Sequence, residues 1–428
     1  MSERDMSDDI DQLIAELHAS ASASASSAIG AGLASVASPA TAANSAAGSG
    51  PATGASPATG DTTRLERWLR ILADLGGSDL LLVAGAPPSI RVDGRVRPLE
   101  DGPLDGVDIE ESLMPALAPH ARRIYRQAQI ADSSFRVRGL GRYRINLHRE
   151  RGRAAAAVRA LPARVPRLAS LNLPPSVELI TRLPRGLVLI GGPTGSGKTT
   201  TLAAIVDEIN RRDARHIVMI EDPIEYEHAH HAGVVEQVEI GVDAPDFPTA
   251  LRASLRQAPD VIVVGEMRDP ETMRIALAAA ETGHLVLSTL HTTDAASTVA
   301  RIADSFPNER QNTIRQELAM ALAVVMTQML VPRIGGGLIP AAELLMVSYG
   351  ARQHVRKNAL QHLHQEMTIT RRAGSLTFED SLTQLVKHGL VERQDALARA
   401  MHVEELEQQL GEARPSEARS GEKRPRSG

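Results

Sequence analysis

The chain has no cysteine, and that single absence removes disulfides, cysteine-based zinc modules and thiol nucleophiles together. Aromatic residues make up only 2% of its 428 positions, with one Trp and four each of Tyr and Phe. Proteins that stack single-stranded nucleic acid place aromatic platforms in a basic groove. With few aromatics and a formal net charge of -5, nucleic acid is not an expected partner. No apolar run approaches the roughly 20 residues of a bilayer-spanning helix; the best, residues 318–326, is less than half that long. The first residues are acidic (Glu3, Asp5, Asp8, Asp9), unlike the basic start of a signal peptide. These absences predict a soluble, cytoplasmic protein.

What is present falls into four stretches. Residues 1–60 are expected to be a disordered, low-complexity extension, nearly all Ala, Ser, Gly, Pro and Thr beyond residue 18. Inside it, Ile10, Leu13, Ile14 and Leu17 have helical spacing, which reads as a short tail helix or, alternatively, a docking peptide. Residues 61–165 form a small α+β domain. Leu65, Trp68, Leu69 and Leu72 make a helical stripe, and strands are expected at 80–83, 89–92, 134–138, 142–147 and 155–159, with a hairpin turn at Asp93 and Gly94. After a proline-punctuated connector, residues 166–410 alternate apolar strands (187–190, 216–220, 261–264, 285–289) with helices (199–210, 247–257, 270–282). Fully apolar strands between helices imply a parallel sheet covered on both faces, an α/β core. From 308 to about 409 the sequence reads as almost wholly helical, and 411–428 as a disordered tail.

The chemistry begins at residues 192–199, GPTGSGKT, which satisfy G-x-x-x-x-G-K-S/T between a strand and a helix. Gly192, Pro193, Thr194, Gly195, Ser196 and Gly197 would form the loop around the phosphates of ATP, with the backbone N–H groups of all but Pro193 turned inward. Lys198 would reach the β- and γ-phosphates, Thr199 would hold Mg²⁺, and Thr200 continues the helix start. The apolar strand 261–264 delivers Glu266, placed to orient or deprotonate the attacking water. Residues 220–225, IEDPIE, follow another strand, bringing Glu221, Asp222 and Glu225 toward the same edge. Glu225 and Glu266, with Thr199, are the residues expected around Mg²⁺, the carboxylates acting through its waters. His284 and His291 bracket one strand, about 23 Å apart if it is extended. Both cannot touch one γ-phosphate, so at least one senses or relays. His228, His230 and His231 meet no metal-spacing template.

Taken together, these boxes resemble the type II/IV secretion ATPases, most closely their PilT branch of twitching-motility motors. The matching pieces are the 192–199 loop, the 221–225 acidic box, VGEMRD over 264–269 and the 282–292 histidine box, with GSDL at 77–80, Pro87, Pro88 and RVDG at 91–94 in the first domain. The resemblance implies a PAS-like first domain joined to a RecA-like core, assembled as a homohexamer and acting at the cytoplasmic face of the inner membrane on a pilus platform protein. It also implies that first-domain arginines, here Arg142, Arg144 and Arg159, act on ATP bound between the two domains. The lack of cysteine argues against the extension ATPases, which carry a tetracysteine zinc motif. The sequence departs from the family where Gln-Arg-Glu becomes Gln237, Val238, Glu239, where AIRNLIRE becomes GARQHVRK over 350–357, and where a first-domain His is Leu81. Pilus retraction is the function implied; an accessory or paralogous subunit and a secretion traffic ATPase are the alternatives.

Overall fold

A computed structural model describes residues 61–411, so the expected tail helix, low-complexity extension and polar C-terminal tail lie outside the described residues. The first domain opens with α1 (Thr63–Asp74), whose Leu65, Trp68, Leu69 and Leu72 are fully buried, as their spacing requires. They pack on a six-stranded antiparallel sheet in the order β3-β2-β1-β6-β5-β4. Its strands are β1 (Asp79–Val83), β2 (Ser89–Val92), β3 (Arg95–Pro98), β4 (Ala131–Val137), β5 (Gly141–Glu150) and β6 (Arg153–Ala160). Asp93 and Gly94 both have positive φ, 50° and 75°, the backbone a two-residue hairpin turn demands.

Helices α2 (Gly106–Leu113) and α3 (Pro119–Ala128) were not anticipated. The α2 helix begins close against the start of β6, where glycine packs with least crowding. A Cβ on Gly106 would come 3.1 Å from the Ala154 nitrogen and 3.2 Å from Arg153 Cβ. Along β5 the pleat sorts residues by face: Tyr143, Ile145 and Leu147 point into the core, and Arg142 and Arg144 stay on the other face.

The core domain is a seven-stranded sheet in the order β13-β12-β7-β11-β10-β8-β9. Here β7 is Gly186–Gly191, β8 His216–Glu221, β9 Val234–Glu239, β10 Val261–Val264, β11 Leu285–Leu290, β12 Leu322–Pro332 and β13 Leu338–Met346. All neighbours are parallel except the terminal β12–β13 pair. Every residue of β7, β10 and β11 is buried, which is why these strands read as continuous apolar runs. The connecting helices are α4 (Lys198–Arg212), α5 (Phe247–Ser254), α6 (Pro270–Glu281), α7 (Ala295–Asp304) and α8 (Asn308–Ala321). After β13 come α9 (Tyr349–Arg356), α10 (Leu363–Ile369), α11 (Phe378–Lys387), α12 (Arg393–Leu397) and α13 (Val403–Leu410).

The wholly helical expectation beyond 308 fails at β12 and β13. The helix stops at Leu322, whose ψ of 124° turns the chain extended. Val324, Val325, Thr327 and Val331 then supply β-branched side chains, and Gly335, Gly336 and Gly337, all at positive φ, turn the chain back into β13. Two apolar runs around a glycine turn were the hairpin signal; the apolar density alone had suggested a buried helix.

Candidate nucleotide site

Parallel register decides which residues meet. Gly191 pairs with Leu290, Ser288 with Val264, and Val264 with Ile220, so the carboxyl ends of β7, β11, β10 and β8 form one edge. The glycine loop, His291, Glu266 and the acidic box all leave from that edge.

The loop from Gly192 to Gly197 is shaped by two constraints. Gly195 and Gly197 sit at φ of 79° and 88°, where a side chain is strained. Gly192 is also crowded, since a Cβ would lie 2.3 Å from Ser196 Oγ and 2.5 Å from the Gln328 carbonyl. Lys198 starts α4 and curls back to donate to the carbonyls of Gly192 (2.8 Å) and Pro193 (3.0 Å). Burial pulls its ammonium below the usual lysine range, partly offset by the nearby carboxylates Glu266 and Glu225. A buried lysine flanked by two carboxylates, with Ser196 Oγ buried and unpaired, fits a phosphate-binding cradle. Thr199 and Thr200 follow on the first turn of α4, and Thr200 Oγ1 lies 2.9 Å from the Tyr226 hydroxyl.

Glu266 is held from behind, because Thr289 Oγ1 donates to the Gly265 carbonyl at 2.6 Å and the Gly265 N–H donates to the Ile220 carbonyl at 2.8 Å. One Glu266 oxygen pairs with Arg268, and the other faces His291 Nε2 at 3.8 Å. His291 Nδ1 is 3.5 Å from Thr194 Oγ1. Burial and the neighbouring Lys198 charge lower the His291 pKa despite Glu266, so its imidazole is neutral near pH 7. His284 is not part of this cluster. It sits at the opposite end of β11, with Nδ1 3.0 Å from the Ala279 carbonyl and its own carbonyl accepting the Gly186 N–H.

Within the acidic box, Glu221 is the buried member, and burial pushes its carboxyl up to about 7. Gln237 donates to Glu221 Oε1 (3.0 Å) and to the Tyr226 carbonyl (2.8 Å), so it braces the box from β9. Burial also raises Asp222, against the charges of Arg144 and Arg268.

The three first-domain arginines separate. Arg142 crosses to the core and pairs with Glu239, which also accepts from Ser134 Oγ at 2.6 Å and from the Ile224 N–H at 3.2 Å. Arg144 contacts Asp132 at 3.4 Å and acts on Asp222 through space. Arg159 pairs with Asp79 of β1 at 2.9 Å, within its own sheet. Among the described residues, no hydrogen bond or ion pair joins these arginines to residues 192–200.

Sequence reasoning missed Gln328. From β12 its Nε2 donates to the Ser196 carbonyl at 2.6 Å, fastening the loop to the neighbouring strand. The strand assignment was the missing signal, since a helical reading gave this residue no reason to face the loop.

The family model for type II/IV secretion system proteins matches residues 172–423. Over 332 residues the chain is 40% identical to the type IV pilus retraction ATPase PilT of Pseudomonas aeruginosa, covering 78% of this chain and 96% of that one. It is 37% identical over 342 residues to the type IV pilus ATPase PilU of the same organism, covering 80% and 90%. The crystal structure of the pilus retraction motor PilT with bound ADP superposes with a TM-score of 0.74 at 42% identity, over 80% of this chain and 98% of that one. The chain therefore belongs to the type II/IV secretion ATPase family. Within that family it is a PilT-like member of the twitching-motility branch.

Proposed function

We propose that this chain is an ATP-hydrolysing motor subunit that powers type IV pilus retraction, working as a homohexamer. The observation that carries the reading is the convergence of Lys198, Glu225, Glu266 and His291 on one sheet edge around a strained glycine loop. When bound, ATP with Mg²⁺ supplies the phosphoryl group and the charge neutralisation that its transfer needs. Lys198 exchanges its carbonyl partners for phosphate oxygens, and the N–H groups of residues 194–199 line the same anion site. Thr199, with Glu225 and Glu266 beyond it, would hold the metal and its waters. Glu266 orients and deprotonates the attacking water, and neutral His291 holds its carboxylate in place.

Arg142 is engaged by Glu239 at the seam between the domains, and Arg144 lies beside Asp222. Domain closure that hands these arginines to the nucleotide would couple hydrolysis to movement. Arg159, tied to Asp79, has a domain-internal role instead. Work would be delivered to an inner-membrane platform protein, with the ring on the cytoplasmic side. Among the described residues, no helix is long and apolar enough to cross a membrane.

A second reading, an accessory subunit with little turnover of its own, rests on Val238 standing where the family has arginine. The test is ATP turnover by the purified oligomer beside Lys198→Ala and Glu266→Gln, together with twitching of a strain lacking the gene. Robust turnover lost in both variants, with piliated but non-motile cells, supports the motor. Turnover indistinguishable from that of the variants removes it in favour of the accessory role.

A further inference from the structure

Away from the nucleotide edge, the three C-terminal helices α10, α11 and α13 enclose a cluster that the ATPase reading does not use. His364 of α10, Glu379 of α11 and Glu405 of α13 each turn one ligand-type atom to a common point, all within 4.8 Å of one another. His364 Nε2 lies 2.8 Å from Glu405 Oε2. The other Glu405 oxygen is already occupied, by Gln409 Nε2 at 3.1 Å and Arg371 at 3.6 Å. Glu379 repeats the pattern: it is 1% exposed, and its Oε1 takes the N–H groups of Met401 (3.0 Å) and His402 (2.8 Å). Each carboxylate thus has one oxygen fixed by the protein, and in Glu405 the other is turned to the imidazole.

On its cavity side the cluster meets no positive charge, Arg371 standing on the Oε1 side of Glu405. A cavity of about 320 Å³ adjoins the cluster, lined by Asp294, Glu343, Glu379, His364 and His402 and by no lysine or arginine. Among the described residues, no lysine or arginine forms an ion pair with Glu343 or Glu379. Glu343 takes the Thr327 hydroxyl at 3.0 Å and the Ala295 N–H. A buried anionic carboxylate is costly unless a cation or metal accompanies it.

We propose that His364, Glu379 and Glu405 form a site for one divalent first-row transition-metal ion, with Zn²⁺ the best-matched. One borderline imidazole with two hard carboxylates suits zinc or manganese, and the adjoining cavity leaves room for a water in the remaining position. Ligands about 2.1 Å from an ion stand roughly 3.4 Å apart in a tetrahedron, so the cluster closes with side-chain movement alone. A metal takes the Nε2 lone pair of a neutral imidazole and ionised carboxylates, so uptake competes with protons and is weaker in acid. The ion would cross-link α10, α11 and α13, holding the last described helix to the body of the core.

The test uses untagged full-length protein, stripped with chelator and free of nucleotide, titrated with ZnCl₂ against a chromogenic competitor. One Zn²⁺ per chain at micromolar or tighter affinity is expected, with a rise in Tm. The partly exposed His364→Asn and Glu405→Gln should each weaken binding at least about tenfold, while Lys198→Ala should leave it unchanged. Co²⁺ in the wild type should give the absorption of a low-symmetry nitrogen–oxygen site, a readout that does not depend on the variants folding. Absence of saturable one-to-one binding overturns the proposal. So does binding that survives the two substitutions together, which would put the ion elsewhere.

Discussion

The two ends of β11 carry the same residue type to different fates. At the carboxyl end, His291 faces Glu266 and the glycine loop, where burial and the Lys198 charge lower its pKa. At the amino end, His284 spends its Nδ1 on a backbone carbonyl, and nearby Glu281 keeps a buried oxygen with no hydrogen-bond partner. Chemistry gathers at one edge because every parallel strand ends there and the helix following β7 starts there, adding its dipole and free N–H groups. The other edge receives helix C-termini and is organised for packing.

Several substitutions would break or sharpen that contrast. Lys198→Ala should have the largest effect, cutting ATP turnover by about 10³-fold or more with native circular dichroism retained. Glu266→Gln should lower turnover about 10²- to 10³-fold while nucleotide affinity, read by fluorescent-analogue titration, changes little. Arg142→Ala should cost about 10²-fold in turnover and also loosen the seam to Glu239, detectable as faster hydrogen exchange along β5. His291→Ala should lower turnover more than His284→Ala, by about tenfold. The reverse order would erase the distinction between the two ends.

The smallest effect lies wholly at the packing end. Burial, followed by the charge of Glu317, raises the Glu281 carboxyl from its usual 4.5 to about 7. The folded state therefore holds a proton that the unfolded chain gives up near pH 4.5. Stability falls as pH rises from about 4.5 to 7 and levels off above that. Glu281→Gln should flatten that part of the curve and raise Tm by about 2 °C at pH 8, with little change at pH 5.

Local signals carried much of this arrangement and topology carried the rest. The glycine loop, Glu266 and the α1 stripe were legible because strand, turn and helix follow one another within a few residues. The separation of His284 from His291 was also legible, since a strand has a fixed rise. The roles sketched for Arg142, Arg144 and Arg159 were not resolved by sequence, because three arginines on neighbouring strand positions look alike until Glu239, Asp222 and Asp79 are placed beside them. Gln328 and Glu343 were invisible for a related reason. Both belong to the β12–β13 hairpin, whose apolar density resembled a helix and whose buried polar side chains have meaning only against the loop and α7.

That hairpin gears the active edge to the rest of the core. Gln328 grips the glycine loop at Ser196, and one strand over Glu343 grips the first residue of α7, just beyond His291. Thr327 of β12 donates to that same glutamate. The two loops that would flank the phosphates are therefore tethered to a single two-stranded ribbon, and neither can shift far without tugging on it. A step at the nucleotide would reach the hairpin as a twist, and α11 is packed against its outer strand, where Ser381 accepts the Ala342 N–H.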